Sequence, residues 1–231
     1  FDIEAGQTLG IVGHTGAGKS TLVRIILGLL IPQKGKVEMY NDSRIEPISP
    51  LTRCNVAYVP QGNSLVSGTV RSNLLLGNPS ASEEQMLKAL HTAVADFVLE
   101  LPDGLDTVCG EGGTAFSEGQ AQRIAIARTL LKDNHVLIFD DSLSAVDTET
   151  DAQIRAALKG EKSGVTTLII SHRVTTLSQA DMILVLEEGR ITQQGTHEEL
   201  CRQEGLYRRI NAIQNTLEEE LNLALEAEGG V

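Results

Sequence analysis

The stretch Gly13-His14-Thr15-Gly16-Ala17-Gly18-Lys19-Ser20 constrains this chain more than any other. It fits G-x-x-x-x-G-K-[ST], a loop whose glycines let backbone N–H groups converge on phosphate oxygens. Gln7–Gly13 (QTLGIVG) reads as a short strand entering the loop, and Lys19–Leu30 reads as a helix leaving it. That is the context the pattern requires, and the helix adds the positive end of its dipole. Lys19 is expected to reach β- and γ-phosphates, and the Ser20 hydroxyl to ligate Mg²⁺.

Such a loop needs a distal carboxylate. His135–Asp140 (HVLIFD) is a continuous apolar run ending in an acid, as expected for a parallel strand covered on both faces. Asp140 then lies at the carboxyl end of its strand, where open α/β sheets bind ligands. Asp141 follows directly and is placed to orient or deprotonate a water. Thr166–Ser171 (TTLIIS) is a second strand of this kind, and Lys36–Tyr40 and Asn55–Val59 read as further strands. Met182–Leu186 and Arg190–Gln194 flank Glu187-Glu188-Gly189, a hairpin signal.

Helices fill the middle of the chain. A capping box, Ser82 with Gln85, opens one with Met86, Leu90, Val94, Phe97 and Val98 on one side. Another is expected from about Gly119 to Leu131. The tail opens with a second box, Thr196 with Glu199, and Leu206, Ile210, Ile213, Leu217 and Leu221 then mark one helical face. That face suits either a partner or the chain's own domain; Glu218–Glu220 reads as a solvated face.

With 231 residues, one domain with an elaboration or two small lobes is expected, and the length suffices for a full core. Lys plus Arg number 19 against 31 Asp plus Glu, a net charge of −12. That balance argues against a general nucleic-acid binder, which needs a basic footprint. With 3% aromatics and no Trp, platforms for stacking single strands are not expected either. The 41% hydrophobic content excludes a disordered chain. The apolar run Ile25–Ile31 stops at Pro32, and no stretch is long enough to span a bilayer. Cys54, Cys109 and Cys201 form neither a metal spacing nor an even disulfide set, which favours a reducing compartment. The five histidines show no ligand spacing. A chain opening at Phe1, without a leader, reads as part of a longer polypeptide or a trimmed one.

Five motifs in order resemble the nucleotide-binding domain of ATP-binding cassette (ABC) transporters, exporter type, over about residues 1–215. Beyond the loop, Phe116-Ser117-Glu118-Gly119-Gln120 with Ala121–Arg128 looks like the family signature LSGGQ and its helix. Val59-Pro60-Gln61 looks like the Q-loop, Ser144-Ala145-Val146-Asp147 like the D-loop, and Ser171-His172-Arg173 like the H-loop. Ser67–Asn73, Leu101–Gly104 and Gly195–Leu200 are exporter-like.

The resemblance implies an α/β fold: a P-loop NTPase (RecA-like) core with a mainly parallel sheet, a small antiparallel β-layer and an inserted helical lobe. The core is expected at 1–61 and 131–200, the lobe at 62–130 and a C-terminal helix at 201–231. It implies that ATP is held by Gly13, His14, Thr15, Gly16, Ala17, Gly18, Lys19, Ser20 and Thr21. Mg²⁺ falls to Ser20, Gln61 and Asp140, and catalysis to Asp141, His172 and Gln61. Gln61 contacts Mg²⁺ or the attacking water, and His172 touches the γ-phosphate. Ser117, Gly119 and Gln120, with Asp147, act on ATP held by a second such domain, so that two domains sandwich two nucleotides. The other partner is a transmembrane domain, upstream on the same chain or separate. The setting is the cytoplasmic face of the cell membrane, and the cargo is not legible.

The sequence departs from the family pattern at named places. Phe116 replaces Leu and Glu118 replaces Gly in the signature. In Val108–Gly113, Val108 stands where exporters carry a Glu that touches the membrane domain. The adenine-stacking aromatic is expected upstream of Phe1. Asp141 stands where the catalytic Glu is expected, which implies slow hydrolysis at this chain's own site and a heteromeric partner with the faster one. Three alternatives stand beside the exporter. A DNA-maintenance ATPase needs a long coiled coil between Lys19 and Ser117, which are only 98 positions apart (117 − 19). An importer ATPase conflicts with the exporter-like stretches. A regulatory subunit that binds ATP with little hydrolysis accords with Asp141.

Overall fold

Apolar strands that end in polar residues organise the molecule. The structure, a computed structural model, describes residues 1–41, 43–62, 64–161 and 164–228. Strand β1 (Thr8–Gly13) passes through the glycine-rich loop into α1 (Lys19–Ile26), which Leu27 closes earlier than the expected Leu30. Strands β2 (Glu38–Asn41) and β3 (Arg44–Pro47) pair antiparallel in a small separate sheet. β3 is exposed along its whole length and so carries no alternating pattern to read. Phe1–Glu4 adopt no strand. A turn closed by the Gln7 N–H on the Glu4 carbonyl (3.1 Å) separates them from β1.

After β4 (Val56–Val59) come α2 (Val70–Leu75), α3 (Glu83–Thr92) and α4 (Glu118–Leu130), before β5 (Val136–Asp140). Each of these helices starts with a reciprocal capping box: Thr69 with Ser72, Ser82 with Gln85, Ser117 with Gln120. Such caps are worth about 1 kcal/mol each. The apolar face expected to run from Met86 to Val98 is not one helix. Val94 adopts φ 53°, the Ala95 N–H bonds back to the Leu90 carbonyl (2.8 Å), and Phe97 and Val98 lie in a 3₁₀ turn. This left-handed stop ends the helix while keeping its apolar residues in the same core.

The rest of the chain forms α5 (Thr148–Glu161), β6 (Thr166–Ile170), α6 (Val174–Leu177), β7 (Met182–Glu187), β8 (Arg190–Gly195), α7 (His197–Arg202) and α8 (Leu206–Glu228). The main sheet has the order β4-β5-β6-β1-β7-β8, parallel except for β8, which returns antiparallel beside β7. Alternation sends Leu9, Ile11, Ile138, Leu168 and Leu184 to one face, with Val23 and Leu27 around α1. The other face carries two clusters, one under α2–α5 with Phe139 and Ile124, the other under α6–α8 with Ile183 and Tyr207. α8 packs on its own domain through Leu206, Tyr207 and Ile210, whereas Ile213 (61%) and Leu217 (59%) are exposed. The side chains of Leu221 and Glu218 lie outside the described residues, as do residues 229–231. Among the described residues no helix is long and apolar enough to cross a membrane.

Candidate functional site

The strand order decides where chemistry gathers. β6 lies between β1 and β5, so three parallel strands end side by side on one edge. Ile170 pairs with both Ile11 and Asp140, which sets the loop after β1, the acids after β5 and Ser171-His172 after β6 in one crevice. This is the carboxyl-end crevice in which open α/β sheets bind ligands. Gln61 joins it two residues past β4, the other neighbour of β5.

The loop between β1 and α1 is formed in advance. Gly18 stands at the helix N-cap with φ 105°, a backbone that L side chains rarely adopt. The Lys19 ammonium folds back on the Gly13 carbonyl at 2.7 Å and the His14 carbonyl at 3.0 Å. The hairpin braces the loop from outside, with the Gly189 N–H donating to the Ala17 carbonyl at 3.0 Å. Burial pulls Lys19 below the ordinary lysine range, while Asp141 and Asp140 act the other way. The cation therefore faces both carboxylates across the crevice. His14, Thr15, Gly16, Ser20 and Thr21 are exposed, and Ala17 is buried beneath the loop.

Asp140 and Asp141 have different surroundings. The Tyr58 hydroxyl donates to Asp140 Oδ2 at 2.9 Å. Tyr58 pairs with Ile138, two residues before Asp140, so period two puts both side chains on the α1 face. Burial and the Asp140 bond push the Tyr58 phenol up to about 12, leaving it a firm donor. Asp141 is only 12% exposed and takes φ 50°, a left-handed conformation for a non-glycine residue. Its Oδ2 lies 3.4 Å from Gln61 Nε2 and 3.5 Å from His172 Nε2. Burial pushes the Asp141 carboxyl above the usual range; His172 and Lys19 oppose that shift and Asp140 adds to it.

The hydroxyl of Ser20 and the carboxylate of Asp140 are hard oxygen donors of the kind Mg²⁺ takes. Among the described residues no three His, Cys, Asp or Glu side chains cluster as a metal cage. A divalent ion here would take its remaining ligands from phosphate and water, which is how Mg²⁺ is usually held beside nucleotides.

The signature residues open α4. Ser117 Oγ accepts from the Gln120 N–H at 3.3 Å, and Gln120 Oε1 accepts from the Ser117 N–H at 3.1 Å. Gly119 runs against the D-loop, and a Cβ there would lie 2.8 Å from the Ala145 carbonyl oxygen. Phe116 packs edge-on against Phe97, with ring centroids 6.1 Å apart. Asp147 caps α5, accepting from the Thr150 N–H and the Thr150 hydroxyl, both at 2.8 Å; these bonds hold its carboxyl below the usual range.

Three residues to which sequence reasoning gave no role belong to this neighbourhood. Tyr58 was findable from strand parity once Asp140 was singled out. The Arg173 guanidinium grips the D-loop through the carbonyls of Val146 (2.7 Å), Ser144 (2.8 Å) and Leu143 (3.4 Å). Gln214 reaches the backbone around His172 from α8. Neither Arg173 nor Gln214 gives a sequence signal for its contacts, which are set by packing of distant segments.

A strand–loop–helix phosphate cradle facing two carboxylates, with a glutamine and a histidine turned toward the second, defines a nucleotide-binding domain of the P-loop class. Comparison with known proteins places it further. The ABC transporter family matches residues 1–144. The chain is 44% identical over 216 residues to an ATP-dependent lipid A-core flippase of Pseudomonas fluorescens, covering 92% of this chain and 36% of that protein. It is 40% identical over 215 residues to the uncharacterized ABC transporter ATP-binding protein YknU of Bacillus subtilis, covering 93% of this chain and 37% of that one. The solved structure of a bacterial Atm1-family ABC exporter with ATP bound superimposes with a TM-score of 0.86 at 39% identity, covering 93% of this chain and 38% of that chain. The chain belongs to the ABC transporter family and spans little more than a third of the length of these relatives.

Proposed function

We propose that this chain is the ATP-binding and ATP-hydrolysing domain of a membrane exporter, acting on the cytoplasmic face, and that its own site turns over slowly. The observation that carries the reading is the meeting of Gln61 and His172 on one oxygen of Asp141, beside Lys19 and the glycine-rich loop. The backbone N–H groups of residues 13–20 and the α1 N-terminus receive the phosphates of ATP. Lys19 leaves the carbonyls of Gly13 and His14 for the β- and γ-phosphates. Ser20 and Asp140, together with Gln61, would hold Mg²⁺, and the ion would supply positive charge against the phosphates. Tyr58 donates to Asp140 Oδ2 and so orients the carboxylate that would meet the metal. Asp141 orients the attacking water and accepts its proton, a role that its raised carboxyl suits. His172 steadies the charge that develops on the γ-phosphate.

We take the domain as a core at 1–61 and 131–200, a helical lobe at 62–130 and a C-terminal segment from 201 onward that carries α8 (Leu206–Glu228). Ser117, Gly119 and Gln120 at the start of α4, with Asp147, face the nucleotide of a second domain. Exposed Leu29, Leu30, Ile31 (93%) and Leu51 (86%) favour a protein partner, for which a transmembrane domain is the natural occupant. The slow site follows from Asp141, whose carboxylate stops one methylene short of where a Glu would reach. It points to a heteromeric partner supplying the faster site, and to a regulatory reading in which ATP closes the dimer with little hydrolysis here. Two measurements on the chain decide: titration with a fluorescent ATP analogue and release of phosphate at saturating MgATP. Tight binding with slow release is expected. Robust release, rising only in proportion to protein concentration, would reject both the weak site and the need for a partner.

A further inference from the structure

α6 begins without a cap of its own, because the side chain of its N-cap residue, Arg173, makes no cap hydrogen bond. The first N–H groups of a helix have no partner within it, so a group from elsewhere must serve them. Gln214 on α8, 40 positions after Val174 (214 − 174), supplies it. Its Oε1 accepts from the Val174 N–H at 2.8 Å, and its Nε2 donates to the His172 carbonyl at 2.6 Å. One planar amide thus holds both peptide units that follow His172, as a neighbouring strand would.

The His172 ring has little else to aim it. It is 53% exposed, and its one polar neighbour among the described residues, Asp141, is 3.5 Å away, beyond the range of a good charge-assisted hydrogen bond. Its direction is therefore inherited from its backbone. Before His172 the backbone is fixed by β6, with the Ser171 N–H on the Ile11 carbonyl at 3.3 Å. After it, Arg173 is tied to the D-loop and Gln214 to the peptides themselves. Gln214 also sits where α8 leaves the domain: Leu206 and Tyr207 before it are buried, whereas Ile213 and Leu217 are exposed.

We propose that Gln214 is a positioning residue for His172, and that α8 thereby sets the turnover of the ATP site without taking part in ATP binding. The proposal deepens the reading of His172 as the γ-phosphate contact and rests on it. Displacing the first turns of α8 frees the two peptides, lets the imidazole swing, and slows hydrolysis at unchanged nucleotide affinity.

The test uses the 231-residue chain with Gln214→Ala, Gln214→Glu, His172→Ala and the double variant Gln214→Ala/His172→Ala. Gln214→Glu keeps the acceptor for Val174 but sets a carboxylate oxygen against the His172 carbonyl. Readouts are affinity for a fluorescent ATP analogue, the rate of phosphate release and the ¹⁵N resonance of His172 Nε2. Both Gln214 variants are expected to lower turnover about tenfold, as for a displacement of less than 1 Å at a reacting group, with affinity within twofold and a shifted Nε2 resonance. In the His172→Ala background, Gln214→Ala is expected to add nothing. Unchanged turnover in Gln214→Ala, weakened ATP binding, or a full further loss in the double variant would overturn the proposal. If His172→Ala alone leaves turnover unchanged, the reading of His172 fails instead, and the resonance judges Gln214: a shift upholds the positioning role and an unmoved resonance overturns it.

Discussion

Lengthening one side chain, Asp141→Glu, probes the site most directly. Asp141 Oδ2 stands 3.4 Å from Gln61 Nε2 and 3.5 Å from His172 Nε2. Charge-assisted N–H···O bonds close at about 2.9 Å, so both gaps are long by roughly half an ångström. A methylene advances the carboxylate by about 1.5 Å, one C–C bond, which is more than enough to close them. Misplacement by about 1 Å costs on the order of a hundredfold in rate, or about 2.7 kcal/mol of barrier. Turnover is therefore expected to rise between tenfold and a hundredfold, with affinity for a fluorescent ATP analogue within threefold, because Lys19, Ser20 and Asp140 are untouched. Stability is expected to move the other way. The residue sits at φ 50°, which Asp tolerates better than Glu. The loss is smaller than the ~1–2 kcal/mol that left-handed backbone costs an L-residue, a fall in Tm of a few degrees for a chain of this size. The assays are phosphate release at saturating MgATP and a thermal melt. A variant that binds ATP normally yet turns over no faster would refute the argument from reach.

Other outcomes follow from the same geometry. Lys19→Ala is expected to weaken MgATP binding at least about a hundredfold in the analogue titration, since it removes the mobile cation facing the phosphates; unchanged affinity would reject the loop as the nucleotide site. Tyr58→Phe is expected to weaken Mn²⁺ binding in the presence of ATP about tenfold, as when the orienting partner of a metal ligand is lost, with an EPR titration as the check; an identical titration would mean that the hydroxyl does not orient Asp140. Asp141 has a raised carboxyl in the folded chain, so the folded state holds that proton more tightly than the unfolded state. Its contribution is fully present below about pH 3.8 and is lost as pH rises through the window up to the folded value. Asp141→Asn is expected to lack this fall, so its advantage in urea midpoint over the parent grows between pH 4 and pH 7; an equal difference at both would count against it. Leu90→Ala empties a fully buried position in the cluster under α2–α5 and is expected to cost about 2–5 kcal/mol by urea denaturation.

Legibility in the sequence tracked how local each determinant is. The glycine-rich loop, the HVLIFD and TTLIIS strands and the hairpin around Glu188-Gly189 are each coded within about ten residues, and they became β1 with its loop, β5, β6 and β7–β8. The strand order was not legible, because nothing in TTLIIS says that it inserts between the other two. α2 opens with a capping box, Thr69 and Ser72, lying inside a stretch valued for its likeness to exporters rather than for its caps. The helix expected to continue through Val98 was misjudged because apolar spacing survives a left-handed break: the side chains still point into one core. At the site, Lys19, Asp140, Asp141, His172 and Gln61 were named from motifs. Their partners Tyr58, Arg173 and Gln214 depended on parity across strands or on contacts spanning 27 to 42 residues or more, which no local pattern encodes.

The close approach of Gly119 to the D-loop decides which letters of the signature can be rewritten. Glu118 points to solvent, so the family's glycine could give way there without moving any neighbour. Phe116 has Phe97 to lie against, and Arg123 rests over that same ring at 4.8 Å, so a larger side chain finds a surface already built for it. Gly119 has no such latitude, because a methyl group meets the Ala145 carbonyl oxygen at 2.8 Å, and a backbone atom cannot rotate aside. The two changed letters fall where the fold is permissive, and the kept glycine falls where it is not. A library randomised across 116–120 and selected only for folding should therefore drift freely at 118, tolerate bulky apolar residues at 116 and return glycine at 119, even with no nucleotide in the selection.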